Sequence, residues 1–398
     1  MPGLLLRFPI HLVAALGAGP FGVRRMLLLL VAAPLLLAVQ LVHAFALLLD
    51  EIWFPGYRST PVEAPLFVVG MPRSGTSQLQ EILADDPRFT STLLWQLILA
   101  PAICQRRLIA RLGAVDRALA SPLDRAFRGV QEMLFRFMED VHPVRLDEPE
   151  EDYFLLFPIF ACFLLVVPFP RSRRVWALAR IDDWPEAERR ALARAYRRMV
   201  QRHLHEAEPR ERLLSKNPSF TPFVRTLLEE FPDARVIGCV RDPRQVVPSL
   251  LSSLEEGARP FGWSPEEPRY RDGLVDMLAD FGDRLLALER DLPASRYHML
   301  LLRDVRSDLL AHVTEVYHRF GWTPDPRFLE ALEQRASQAR THTSRHRYAL
   351  ADYGLDVKTV ETRFQDVMTR FGFDDQGTDP ARLEGDAAGP PAPDGDVR

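Results

Sequence analysis

The residues best suited to chemistry begin at Val68-Val69-Gly70-Met71-Pro72-Arg73-Ser74-Gly75-Thr76-Ser77. An apolar strand ending at a glycine, a short loop and a helix start let main-chain N–H groups converge on an oxyanion. The helix N-terminus adds partial positive charge. Gly70 and Gly75 stand at the spacing of a nucleotide phosphate loop, but Thr76 occupies the place of its lysine. Arg73 supplies a cation inside the loop, and its planar fork suits phosphate or sulfate oxygens. The same residues also fit an ordinary strand–turn–helix joint built of small side chains.

Two further groups carry charge at strand ends. In Arg235–Leu251 a β-branched run leads to Arg241, Asp242-Pro243 opens a helix, and Ser249 follows eight residues after Arg241. That pair suits a second phosphate, with Asp242 as helix cap, although Arg-Asp-Pro also starts many surface helices. Lys216, one of two lysines with Lys358, follows the apolar pair Leu213-Leu214. A lysine there lies at the carboxyl edge of a sheet, where α/β proteins bind ligands; a solvated surface lysine is the plain alternative. Glu150, Glu151 and His142 are candidate general bases. The acidic run Asp147–Asp152 reads equally as a solvated helix start.

The elements that must position these groups alternate. Strands are expected at Leu66–Val69, Leu213–Ser215, Arg235–Val240 and Tyr297–Leu302. Helices are expected at Ser77–Ala84, Phe220–Phe231, Arg244–Glu256 and Asp304–Phe320. The order implies an α/β fold with a mostly parallel sheet. Cys104–Met138 has a helical pattern in which Arg106, Arg107, Arg111 and Arg117 read as a solvated basic face. Tyr153–Pro170 is apolar but interrupted by Pro158, Pro168 and Pro170, so it reads as a buried helix or pocket wall. The chain divides into an N-terminal hydrophobic segment (1–55), a catalytic domain (64–375) and a Pro-, Gly- and Asp-rich tail (376–398) expected to be disordered.

Met26–Leu49 is almost wholly apolar. As a helix it is roughly 35 Å long, enough to cross a bilayer core, and a transmembrane helix is the first expectation. Arg24 and Arg25 favour a cytoplasmic N-terminal side. A single span would then put the catalytic domain outside, away from a cytosolic nucleotide. A helical hairpin or in-plane helix keeps that domain facing the cytoplasm at the membrane. The formal net charge of −4 gives no basic face for non-specific nucleic-acid binding. Three widely spaced cysteines (Cys104, Cys162, Cys239) form no disulfide framework and fit a reducing compartment.

Taken in order, several of these phrases resemble one family. They are Pro72–Ser77, Leu213–Arg244, Pro149-Glu150-Glu151-Asp152, His346-Arg347-Tyr348 and Asp352-Tyr353-Gly354-Leu355. Together they resemble the sulfotransferases that use 3′-phosphoadenosine 5′-phosphosulfate, in the bacterial branch related to tyrosylprotein and carbohydrate sulfotransferases. The likeness covers Ala64 to Phe373. It implies a P-loop-like three-layer sandwich. It also implies that Arg73, Ser74, Gly75, Thr76 and Ser77 hold the donor's 5′-phosphosulfate and that Arg241 and Ser249 hold its 3′-phosphate. Lys216 would lie near the bridging oxygen, and Arg345, His346 and Tyr348 would close over the donor. The acceptor oxygen would attack sulfur in line with the leaving phosphate, with fixed cations in the place a metal fills elsewhere. Related enzymes often carry a glutamate base where this chain reads Leu94-Trp95-Gln96-Leu97. Gln96 cannot take a proton, which leaves Glu150, Glu151 and His142. The acceptor is a hydroxyl compound, carbohydrate or, if the apolar segments form a pocket, lipidic. Two rivals remain: a P-loop kinase or NTPase, and an inactive membrane-anchored nucleotide binder.

Overall fold

A computed structural model describes residues 5, 7–17, 22–118, 146–208, 211–339 and 349–373. His142, the Arg345–Tyr348 phrase and the tail from residue 376 lie outside these residues.

Four strands of five or six residues and one of two residues form a five-stranded parallel sheet. They are β1 (Leu66–Gly70), β2 (Phe89–Thr90), β3 (Arg212–Lys216), β4 (Arg235–Val240) and β5 (Tyr297–Leu301), in spatial order β2-β3-β1-β4-β5. Every residue of β1 is buried, as expected of a parallel sheet covered on both faces. Alternate side chains feed two cores. Phe67, Val69, Leu213, Val236 and Tyr297 enter one, and Leu66, Val68, Leu214, Ile237 and Leu300 enter the other.

Among the helices that complete the frame are α1 (Arg7–Leu16), α2 (Val23–Trp53), α3 (Thr76–Leu83), α4 (Ile103–Ala118), α5 (Glu186–Leu204), α6 (Pro243–Ala258) and α7 (Pro268–Asp291). Leu79, Ile82 and Leu83 of α3 cover one face of the sheet. Tyr196, Met199 and Val200 of α5, with Leu278, Phe281 and Leu285 of α7, cover the other. The result is the α/β fold with a parallel sheet expected from the alternation of elements, in the three-layer sandwich that the resemblance implies. The apolar Tyr153–Pro170 segment holds no α-helix. It forms two short 3-10 turns, Asp152–Ile159 and Phe163–Val166, buried against the larger core.

Helix α2 is long and apolar enough to cross a membrane by length and composition. One stripe of it nevertheless packs on the body. Leu29, Ala33, Gln40, His43, Leu47 and Asp50 are buried at three-, four- and seven-residue steps. His43 Nε2 lies 3.2 Å from the Ile98 carbonyl, and Gln105 Nε2 lies 3.0 Å from His43 Nδ1. Asp50 is fully buried and accepts from the amides of Ile103 (2.8 Å) and Cys104 (3.0 Å), which caps α4. The same carboxylate pairs with buried Arg202 of α5 at 3.1 Å. Arg202 also reaches Glu51 at 2.7 Å and lies 4.1 Å over the Tyr57 ring. In α4, Arg107 and Arg111 are exposed, whereas Arg106 turns inward and donates to the Ala100 carbonyl at 3.0 Å. The expected basic face is thus interrupted where α4 meets the body.

The Arg202 guanidinium joins the N-terminal helix to the catalytic frame. Arg202→Met leaves Asp50 as an uncompensated buried charge. Urea denaturation should show a loss of about 3–5 kcal/mol, whereas Arg198→Met, one turn earlier, should change stability by under about 0.5 kcal/mol.

Candidate active site

The phosphate loop is built by close backbone approach. Gly70 pairs with Cys239 across β1 and β4, and a Cβ there would sit 2.5 Å from the Cys239 carbonyl oxygen. The Gly70 amide donates to the Thr221 hydroxyl at 3.0 Å, and that hydroxyl donates to the Gly70 carbonyl at 2.8 Å. Gly75 caps α3 with φ 87°, and a Cβ would meet Leu302 at 2.5 Å. Glycine is required at both positions. The first bond of α3 runs from the Leu79 amide to the Gly75 carbonyl. The amides of Thr76, Ser77 and Gln78 therefore precede it, in the position that binds anions. The Ser74 hydroxyl is turned inward and donates to the Met71 carbonyl at 2.6 Å, so it shapes the loop.

Arg73 is exposed and left-handed, with φ 71°. Its Nε donates to the Ser249 hydroxyl at 3.1 Å, and its carbonyl accepts from Arg241 Nη1 at 3.2 Å. The phosphate loop and the Arg241–Ser249 pair therefore meet directly. Asp242 caps α6 as expected, accepting from the Arg244 amide at 2.8 Å. Ser249 lies two turns into that helix and is buried. Gln245 accepts from Arg241 Nε at 2.9 Å, which aims the guanidinium at the loop.

Lys216 is the last residue of β3 and is buried. Its ammonium lies 3.2 Å from Glu151 Oε1 and 3.4 Å from Glu150 Oε1. Burial alone would lower its pKa, but the two carboxylates outweigh burial and hold it above the ordinary lysine value. Burial raises the Glu151 carboxyl, with Lys216 opposing and Glu150 adding to the rise. The acidic run reaches this place by antiparallel contact with residues 92–95. The Trp95 amide donates to Leu146, Leu94 to Glu148 and Glu150 to Thr92, at 2.9, 3.0 and 3.1 Å. Gln96 is committed elsewhere, its Oε1 accepting from the Leu93 amide at 3.0 Å. The segment that lacks the expected glutamate thus delivers two others by pairing.

Asp152 went unremarked as a site residue because nothing in an acidic run marks one member as buried. It is buried and accepts from the Tyr196 hydroxyl. Burial lifts its carboxyl to about 7, against the opposing hydrogen bond from Tyr196.

Two outcomes follow from this geometry. Arg73 holds a left-handed backbone at a cost of order 1–2 kcal/mol, so Arg73→Gly should be about 1 kcal/mol more stable than Arg73→Ala in thermal melts, with both weakened for anions. Asp152 ionises at about 3.9 when unfolded. Between about pH 4 and 7 the folded chain keeps a proton that the unfolded chain has lost, so this group lowers stability as pH rises through that window. Asp152→Asn removes the titration. Its stability relative to the parent should climb by up to about 4 kcal/mol across the window and then level off, as read by urea denaturation at each pH.

Comparison with known proteins agrees with this arrangement. A model of the sulfotransferase family matches residues 65–326, which include β1, the loop, Lys216 and Arg241. The omega-hydroxy-beta-dihydromenaquinone-9 sulfotransferases Stf3 of Mycobacterium tuberculosis and Mycobacterium bovis are 25% identical over 330 residues, 81% of this chain and 78% of theirs. The fold is shared with sulfotransferase STF9 from Mycobacterium avium (TM-score 0.65, 22% identity, 84% of this chain and 83% of that one). It is also shared with STF1 from Mycobacterium tuberculosis H37Rv (TM-score 0.59, 22% identity, 82% and 83%). The chain belongs to the sulfotransferase family, and it is a sulfotransferase.

Proposed function

We propose that this enzyme moves a sulfuryl group from 3′-phosphoadenosine 5′-phosphosulfate to the hydroxyl of a membrane-borne lipidic alcohol. The observation that carries the reading is a buried, charged Lys216 between two carboxylates, on the strand beside the phosphate loop. The residues fit the donor. Gly70 and Gly75 leave no room for a Cβ where backbone must approach phosphate, and two guanidinium groups meet at Ser249 and the Arg73 carbonyl. In this reading the donor supplies a sulfuryl group already activated by a phosphate leaving group. Arg73 and the main chain of 74–77 hold that end, with Thr76 and Ser77 at the helix start. Arg241 and Ser249 hold the 3′-phosphate, and Lys216 neutralises charge at the bridging oxygen. Glu151, raised by burial, takes the acceptor proton, and Glu150 keeps Lys216 charged. Tyr348 stands as a donor contact and His142 as a second proton acceptor on sequence grounds alone.

The acceptor class rests on the wall beside the carboxylates. Tyr153 and Phe154 stack at 4.7 Å, Phe154 and Phe157 are 6.4 Å apart, and Phe157 lies 6.2 Å from Phe8 of α1. An aromatic track thus runs from Glu151 to the N-terminal helices, and it suits an apolar acceptor. The relatives named for a hydroxylated menaquinone act on a compound of that kind. Residues 64–375 form the transfer domain, and 1–55 bring it to the membrane. Glu150 and Glu151 stand in for the glutamate that Gln96 replaces, which disfavours an inactive nucleotide binder.

Labelled donor incubated with lipid-alcohol, sugar and peptide panels should sulfate the lipid alcohol. Lys216→Ala should reduce turnover about 10²–10³-fold while retaining donor affinity. Adenosine 3′,5′-bisphosphate should raise the melting temperature of the parent and of Lys216→Ala, and much less that of Arg241→Ala. Undiminished turnover in Lys216→Ala would remove the central role assigned to the ammonium.

A further inference from the structure

Large exposed apolar side chains are strictly segregated in this molecule. Among the described residues they lie on α1, on α2, in 99–115 around α4, and at Leu164; none lies in 165–373. A catalytic body free of exposed large apolar groups thus carries one greasy side. On α2 that side runs the length of the helix. Leu27, Val31, Phe45 and Ile52 are each more than 60% exposed, while the opposite stripe is buried from Arg25 to Asp50. Leu112 and Val115 extend the surface onto neighbouring α4. A helix apolar on every side belongs in a core or against lipid, and here the core takes only one stripe.

Charge selects between lipid and a second protein surface. The exposed charged side chains described on α1, α2 and α4 are Arg7, Arg24, Arg107 and Arg111, with no exposed Asp or Glu among them. Arg107 is partly occupied by Glu206 at 2.9 Å. An apolar face whose own helices expose arginine and no acidic residue among the described positions complements an anionic bilayer surface and would repel a second copy of itself.

Docking also fixes the orientation. A crossing helix needs lipid around its middle, but the middle of α2 holds buried Gln40 and, one turn on, buried His43 bonded to the Ile98 carbonyl and Gln105. Its end holds the buried Asp50–Arg202 pair. Inserting α2 across a bilayer would drag these polar groups and the body behind them into hydrocarbon.

We propose that the outward face of α2, with the exposed flanks of α1 and α4, is a membrane-docking surface that lies in the plane of an anionic bilayer, leaving the catalytic body wholly on one side. The helix does not cross. This deepens the reading of a membrane-borne acceptor and rests on it only for purpose. Its test reads lipid contact, so failure here leaves the transfer assay standing.

The test uses the full chain with vesicles of phosphatidylcholine alone or mixed with phosphatidylglycerol. Leu27→Cys, Phe45→Cys and Ile52→Cys are each labelled with an environment-sensitive dye, with the unsubstituted chain as blank, and quenched by lipids brominated at graded depths. An in-plane helix gives the same shallow depth for all three labels, in one leaflet. Labels at 27 and 52 in opposite leaflets, with 45 deeper, would establish a crossing helix and overturn the proposal. Absence of quenching at all three, with a concentration-dependent dimer in sedimentation, would assign the face to a second copy instead. Replacing the same three residues by glutamate should lower partitioning into mixed vesicles at least tenfold, while the adenosine 3′,5′-bisphosphate thermal shift persists and reports a folded body. Arg24→Glu with Arg111→Glu should lower partitioning about tenfold in anionic vesicles and leave phosphatidylcholine binding unchanged. Equal loss in both vesicle types would refute the electrostatic part.

Discussion

The site depends on β1 being paired in parallel with β3 on one side and β4 on the other. That register sets Val68 opposite Lys216 and Gly70 opposite Cys239, so three strand ends release their loops at one corner of the sheet. Each end brings a cation: Arg73 from the loop after β1, Lys216 from the tip of β3, Arg241 just beyond β4. The corner lies at the carboxyl edge, where the chain order switches direction across the sheet and open α/β proteins bind ligands. Three cations gathered there repel one another. The carboxylates of Glu150 and Glu151 at Lys216, and the Gln245 amide and Arg73 carbonyl at Arg241, hold them before any anion arrives. Such preorganisation is what charge stabilisation in a transition state requires.

The loop's shape shows the same compromise locally. Two of its turns take glycine because backbone and side chains approach too closely for a Cβ. The third, at Arg73, also has a positive φ, and glycine would be the less strained choice. In the proposed donor site an arginine there supplies the cation that Thr76, standing in the place of the usual lysine, does not. Strain at that residue is offset by its bonds to Ser249 and Arg241. These are the partners expected of a second phosphate subsite, so the two halves of the donor site stiffen each other.

Four of the five strands were legible to within a residue or two because a buried parallel strand is a continuous apolar run bounded by turn signals, as in Leu66–Gly70 and Arg235–Val240, whereas two-residue β2 carries no such run. The loop was legible because glycine spacing reports backbone geometry directly. Spacing along the chain said nothing of contacts across it. Glu150 and Glu151 lie 66 and 65 residues from Lys216. They meet it only through the pairing of 146–150 with 92–95, which has no local signature. Hydropathy likewise could not distinguish a helix wrapped in lipid from one with a single side docked. The informative residues in α2 are the few buried polar ones, above all His43 and Asp50, whose partners lie far away in sequence. Arg106 misleads for the same reason, since a basic residue among others reads as solvated until its acceptor is known.

These buried polar contacts make the N-terminal helices part of the catalytic frame. Helix α5 carries Arg202, which anchors the end of α2 through Asp50 and Glu51. Six residues earlier, roughly 9 Å along the same helix, it carries Tyr196, whose hydroxyl holds Asp152. Asp152 adjoins Glu151, and Glu151 holds Lys216. A continuous set of bonds therefore leads from the greasy face to the cation at the tip of β3, through one helix whose interior packs tightly against the sheet. Phe8 of α1 reaches the same segment from the other side, against Phe157 and Phe160. A detachable anchor would need none of these contacts. Their presence means that the exposed apolar face and the carboxylates at Lys216 are held in fixed relation. The proposed transfer needs that relation, because in it the hydroxyl of a membrane-borne acceptor arrives at Glu151 from the side on which the aromatic track opens.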